Sequence, residues 1–182
     1  GNPGAHAQYA RTLIFADHFE EAEAVLREAL QLFTSTESQL DWETHFQWLR
    51  LLGRASAGRG NRQAAEAVLR DALHQAKQAL GEQNAEASFL FTALGNVVPN
   101  VAPTFEGESL HKEGLAIYIK LRGEIGREQA IKTGMLGTVV RERGDLGEAE
   151  RLAHAAIEMH RPLRGENHPD EMPMRVLLAL IH

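Results

Sequence analysis

The sequence predicts an all-helical protein built as an α-solenoid of antiparallel helical hairpins. Three observations predict it: a motif that returns every 42 residues, apolar residues at helical spacing after each copy, and no stretch with sustained strand-like alternation. The clearest copy is LGTVVRERGDLGEAE, Leu136 to Glu150, with weaker ones at Tyr9 to Glu23, Leu52 to Glu66 and Leu94 to Glu108. Leu52, Leu94, Leu136 and Leu178 are each 42 positions apart, while Tyr9 to Leu52 is 43. This period predicts one array over residues 1–182, with repeats at about 3–45, 46–87, 88–129 and 130–171 and the first helix of a fifth at 172–182. A chain that stops inside a repeat is the pattern expected of a segment excised from a larger protein.

The first helix of each unit carries a small pair, Tyr9-Ala10, Leu52-Gly53, Leu94-Gly95 or Leu136-Gly137. Glycine inside a helix costs up to about 1 kcal/mol against alanine, so its return at one register implies close approach of a neighbouring helix. Twelve residues later stand Ala22, Ala65, Gly107 and Ala149, and seven beyond those Ala29, Ala72, Gly114 and Ala156. Small residues face small residues where two helices touch. Between the helices, Gly58 to Asn61 (GRGN) and Arg143 to Asp145 (RGD) supply a glycine to end one helix and an Asn or Asp to cap the next. The second helices, such as EEAEAVLREALQLF, place apolar residues at i, i+3, i+4 and i+7. The third unit departs from the pattern through Pro99, Pro103, Gly107, His111 and Gly114, and Pro99 predicts a shortened or bent first helix there.

Composition narrows the function. A net charge of −6 argues against a nucleic-acid binder, which would carry a basic stripe. No apolar run approaches the roughly 20 residues of a membrane span, and the first ten residues lack the basic-then-apolar pattern of a signal peptide. The chain has no cysteine, which removes disulfides and thiolate chemistry and fits a reducing, cytoplasmic setting. His154 and His160 are six apart and face nearly opposite sides of a helix, and no His-Glu-x-x-His is present, so no metal site is expected. No nucleophile elbow, phosphate-binding loop or dinucleotide-binding glycine pattern occurs, so neither catalysis nor a cofactor is expected. The Arg143 to Asp145 tripeptide matches an adhesion motif but sits where the repeat needs a turn.

The Leu-Gly pair, the Ala twelve residues on and the Ala seven after that resemble the tetratricopeptide repeat. Leu52, Gly53, Ala65 and Ala72 match in one unit, and Leu136, Gly137, Ala149 and Ala156 in another. The 42-residue unit and the linker LRGENHPDE, Leu163 to Glu171, are similar to the kinesin light chain type, with Pro169 near the first turn of the next helix. An asparagine of that family is replaced by Met135, so the resemblance carries architecture and no motor-associated role. It implies a right-handed superhelix and a noncatalytic scaffold whose concave wall, lined by the first helices, holds a peptide or a partner's helix.

Carried onto this chain, the family's groove registers fall on Ala7, Arg11, Ile14 and Phe15; Gln47, Arg50 and Arg54; Phe89, Thr92, Asn96 and Asn100; and Ile131, Thr138, Arg141 and Glu142. Arg50 and Arg54 are four apart and point the same way on a helix, so they could present two guanidinium forks to one carboxylate. Arg11, Arg50, Arg54 and Asn96 are expected to form an anion-accepting strip, with apolar contacts from Phe15 and Phe89. The implied partner is a protein or peptide bearing an acidic or C-terminal carboxylate group. Phe89 and Phe91 flank one another, so one belongs to the core and the other to the groove. The alternative reading is a self-associating structural or regulatory segment excised from a larger multidomain protein, since the apolar end VLLALIH of the open C-terminal helix could be capped by another copy, giving a homo-oligomer, or by missing sequence.

Overall fold

The computed structural model describes residues 3–35, 42–99, 102, 105–123, 126–164 and 168–182. Its helices are α1 (Pro3–Phe15), α2 (Phe19–Ser35), α3 (Trp42–Gly58), α4 (Arg62–Leu80), α5 (Ala85–Gly95), α6 (Glu106–Arg122), α7 (Arg127–Glu142), α8 (Leu146–Arg164) and α9 (Met172–Ile181). Among the described residues there is no strand, and no helix is long and apolar enough to cross a membrane. The helices form two compact units, Gly1–Val97 and Val98–His182.

In the first unit α1 packs on α2, α2 and α4 on α3, and α5 on α3 and α4. Its core gathers Ala10, Leu13 and Ile14 of α1, Ala22, Leu26 and Ala29 of α2, and Trp48, Leu52 and Ala55 of α3. The small registers do what their spacing implies. Ala22, Ala65 and Ala72 have no exposed surface. A Cβ added at Gly53 would lie 2.7 Å from the Leu69 side chain of α4, so the glycine lets two helices meet.

In the second unit α7 packs between α6 and α8, and α9 lies on α7 and α8. Leu136, Val140, Ala149 and Leu152 form one apolar cluster; Ala156, Ile157 and Met174 form another. A Cβ at Gly137 would approach Leu177 of α9 to 3.0 Å and the Ala149 carbonyl to 3.3 Å.

The turns follow the same chemistry. Gly60 (φ +83°) and Gly144 (φ +92°) take the left-handed conformation that ends a helix. Asn61 then accepts the Ala64 N–H at 3.1 Å, and Asp145 accepts the Glu148 N–H at 3.1 Å. Asp17 occupies the corresponding place in the first turn with φ +59°. Arg143 of the RGD tripeptide reaches Glu108 at 3.1 Å and Asp145 at 2.9 Å, so this stretch serves as an interhelical turn.

Pro99 shortens the helix before it. α5 has 11 residues against 17 in α3 and 16 in α7, and it stops at Gly95. The residue ahead of a proline is driven from helical geometry, and proline itself has no N–H for the helix. Gly107, His111 and Gly114 are absorbed within α6 on its buried face. Pro103 and part of the linker before Pro169 lie outside the described residues; Pro169 opens a short 3-10 turn that leads into α9.

Candidate functional site

The first unit brings several of the expected residues onto one face. α1 supplies Arg11 and Phe15, α3 supplies Gln47, Arg50 and Arg54, and α5 supplies Phe89 with Asn96 at its C-cap. Within each helix these residues are three, four or seven apart and therefore share a side. The Arg54 guanidinium lies 5.2 Å from the centre of the Phe15 ring, and the Arg50 guanidinium 4.8 Å from that of Phe89. Phe15 is 70% exposed, a large apolar surface for a side chain with a cation resting on it.

The two arginines of α3 have different fates. Arg50 donates from Nη1 to Oε2 of Glu86 at 2.5 Å, and both side chains are largely buried. Burial pushes the Arg50 pKa below its ordinary value and nearby Arg11 adds to that, while Glu86 and Glu43 act in the opposite direction. The group remains a cation at any ordinary pH, and it already holds a carboxylate. Arg54 is exposed and Arg11 half-exposed, and neither has an acidic side chain within ion-pair distance among the described residues. The pairing of Arg50 was invisible at the level of spacing, because Glu86 lies 36 positions away on another helix.

The remaining candidates divide. Ala7 and Ile14 are core residues of the first unit, at 3% and 2% exposure, because they fall on the side of α1 that meets α2 and α3. Thr92 is buried and its hydroxyl donates to the Ser88 carbonyl at 3.1 Å. Asn100 lies outside the described residues. Phe91 is the core member of the aromatic pair, buried with the Lys77 ammonium 4.9 Å from its ring centre, and Phe89 is half-buried on the arginine face.

In the second unit Thr138 is exposed on α7 and donates to the Gly134 carbonyl at 3.3 Å. Glu142 is exposed, and Ile131 and Arg141 are half-buried. Among the described residues no group of three His, Cys, Asp or Glu side chains could hold a metal ion. His160 is fully buried and His154 exposed, as expected of two positions on opposite sides of α8.

This unit also buries polar groups outside the groove registers. His111 of α6 is 1% exposed with neither ring nitrogen hydrogen-bonded, and Lys132 of α7 is 3% exposed. Burial, with a smaller contribution from the Lys132 charge, pushes the His111 pKa down to about 4.

Comparison with known proteins agrees with the geometry. Residues 134–170 match the family model of the tetratricopeptide repeat. No curated protein sequence matches the chain. Among solved structures, an inferred kinesin light chain from Podosopora anserina with nearly identical TPR-like repeats superposes with a TM-score of 0.71 at 17% identity, over 97% of this chain and 83% of that one. BtubC (BKLC) from P. vanneervenii superposes with a TM-score of 0.73 at 18% identity, over 98% of this chain and 80% of that one. Residues 134–170 are thus similar to a tetratricopeptide repeat, and the chain shares the fold of these kinesin-light-chain-like repeat structures.

Proposed function

We propose that this protein is a noncatalytic protein-interaction scaffold that holds a partner's peptide segment on the first-helix face of its repeats. The observation that carries this reading lies in the first unit. Arg11 and Arg54 have no acidic side chain within ion-pair distance among the described residues, and the Arg54 guanidinium rests on an exposed Phe15 one turn along α1 from Arg11. Cations held open beside apolar area match a segment that places an acidic or C-terminal carboxylate group next to an apolar side chain. Gln47 and Asn96 add polar contacts to this face, and in the second unit Thr138 stands at the Asn96 register with Arg141 at a further groove register. Residues 1–182 work as one array in this reading, in a cytoplasmic compartment.

Mutagenesis should leave Arg50 alone, since a reversal there would set two carboxylates against each other. The test is capture of a partner from native lysate by the wild type and by Arg11→Glu/Arg54→Glu. The segment responsible is then synthesised and its affinity measured. Binding lost by a variant that remains helical supports the reading. Equal affinity for both proteins moves the site off this face.

A second reading is favoured by α9, which leaves Met172, Val176 and Leu180 exposed along one stripe. A helix side of this kind suits self-association. Sedimentation of the wild type against Val176→Lys/Leu180→Lys over a range of concentrations tests it: a mass that stays monomeric at all concentrations rules it out.

A further inference from the structure

The two α3 arginines are one turn apart, yet among the described residues only Arg54 lacks an acidic partner, and Glu86 makes the difference. We infer that Glu86 is a built-in counterion that sets the charge specificity of the peptide face. It fills the anion position at Arg50, so the face takes one acidic group, at Arg54 and Arg11, and turns away a second. The inference rests on the peptide-face reading above and names the class of segment that face selects.

Three features hold Glu86 in that role. Its carboxylate bonds Arg50 directly, and its side chain is 11% exposed against 22% for Arg50, so an incoming acid would have to displace a desolvated pair. It stands in the first turn of α5, where the unpaired N–H groups of a helix favour a carboxylate. It is also tethered to the same folded unit, so it competes with a free ligand at high effective concentration. The Phe89 ring lies against the same guanidinium, leaving Arg50 as part of the wall. Glu43, exposed on the first turn of α3, also acts on Arg50 and adds negative charge at this end. The face is therefore polarised, open to anions near Phe15 and neutral to negative near Phe89.

The experiment is selection from a random-peptide display library on the wild type, Glu86→Gln and Arg54→Glu, followed by calorimetric titration of selected peptides. The wild type should select peptides with a single acidic residue beside an apolar one. Glu86→Gln should gain about tenfold in affinity for peptides with two acidic residues, the scale of one charge-assisted hydrogen bond. Arg54→Glu should lose both classes.

Identical selections by the wild type and Glu86→Gln, with loss in Arg54→Glu, would overturn the counterion role and leave the peptide-face reading standing. Failure to select any peptide that depends on Arg54 would remove that reading and this inference together. Should Glu86→Gln not fold, the shorter Glu86→Asp decides: a gain in affinity for peptides with two acidic residues supports the inference, and a selection identical to that of the wild type overturns it.

Discussion

Arg50 and Glu86 bridge α3 and α5, 2.5 Å apart between Nη1 and Oε2, and little of either side chain meets solvent. A pair so placed draws its value from completeness, because removing one member strands the other charge in a desolvated site. Arg50→Met should therefore destabilise the first unit by about 2–4 kcal/mol, while Arg50→Met/Glu86→Leu should recover most of that loss. Urea unfolding followed by tryptophan fluorescence is the measurement. Both tryptophans of the chain, Trp42 and Trp48, lie on α3, so the signal reports this unit alone.

Gly53 is retained for space. Alanine there gains up to about 1 kcal/mol of helix propensity but drives a Cβ to within 2.9 Å of three Leu69 carbons, and Leu69 is itself 1% exposed. Overpacking should win, leaving Gly53→Ala less stable by about 1–2 kcal/mol in the same urea experiment. An unchanged midpoint would mean that α4 can retreat.

Asp17 offers the opposite sign. It holds φ +59° at the place where Gly60 and Gly144 stand in later turns. A side chain in this conformation is strained, and glycine relieves it at some entropic cost in the unfolded chain. Asp17→Gly should stabilise by about 0.5–1 kcal/mol, and Gly60→Ala should destabilise by about 1 kcal/mol. Paired urea melts of the two variants check both signs.

His111 links the second unit to pH. Its folded pKa of about 4 lies below the ordinary 6.5, so the unfolded chain binds the proton more tightly. Its contribution to stability is complete above pH 6.5 and is lost as pH falls through the interval down to about 4, reaching about 3 kcal/mol at the low end. His45 of α3 shifts in the same direction, again chiefly through burial, so the wild type alone does not separate them. Melting followed by far-UV circular dichroism across this range should show a shallower pH dependence in His111→Leu. Equal slopes in the two proteins would rule the role out.

The sequence by itself determined the hairpins, their turns and the small registers at their contacts. These are local facts: Gly60 and Asn61 make a turn by their own conformations, and a residue that must be small shows its constraint at a fixed spacing. It also placed Arg11, Phe15, Arg50, Arg54 and Phe89 on first helices at neighbouring registers. Only the tertiary structure decided what each of them meets. One residue of register turns a helical side chain by about 100°, and the final rotation is set by packing against helices distant in sequence. That rotation buries Ala7, Ile14 and Thr92, turns Phe91 inward and leaves Phe15 exposed. The same packing closes Arg50 with Glu86 while Arg54 stays open, because charge pairing depends on which distant carboxylate arrives within hydrogen-bond reach, and spacing along one helix does not encode it.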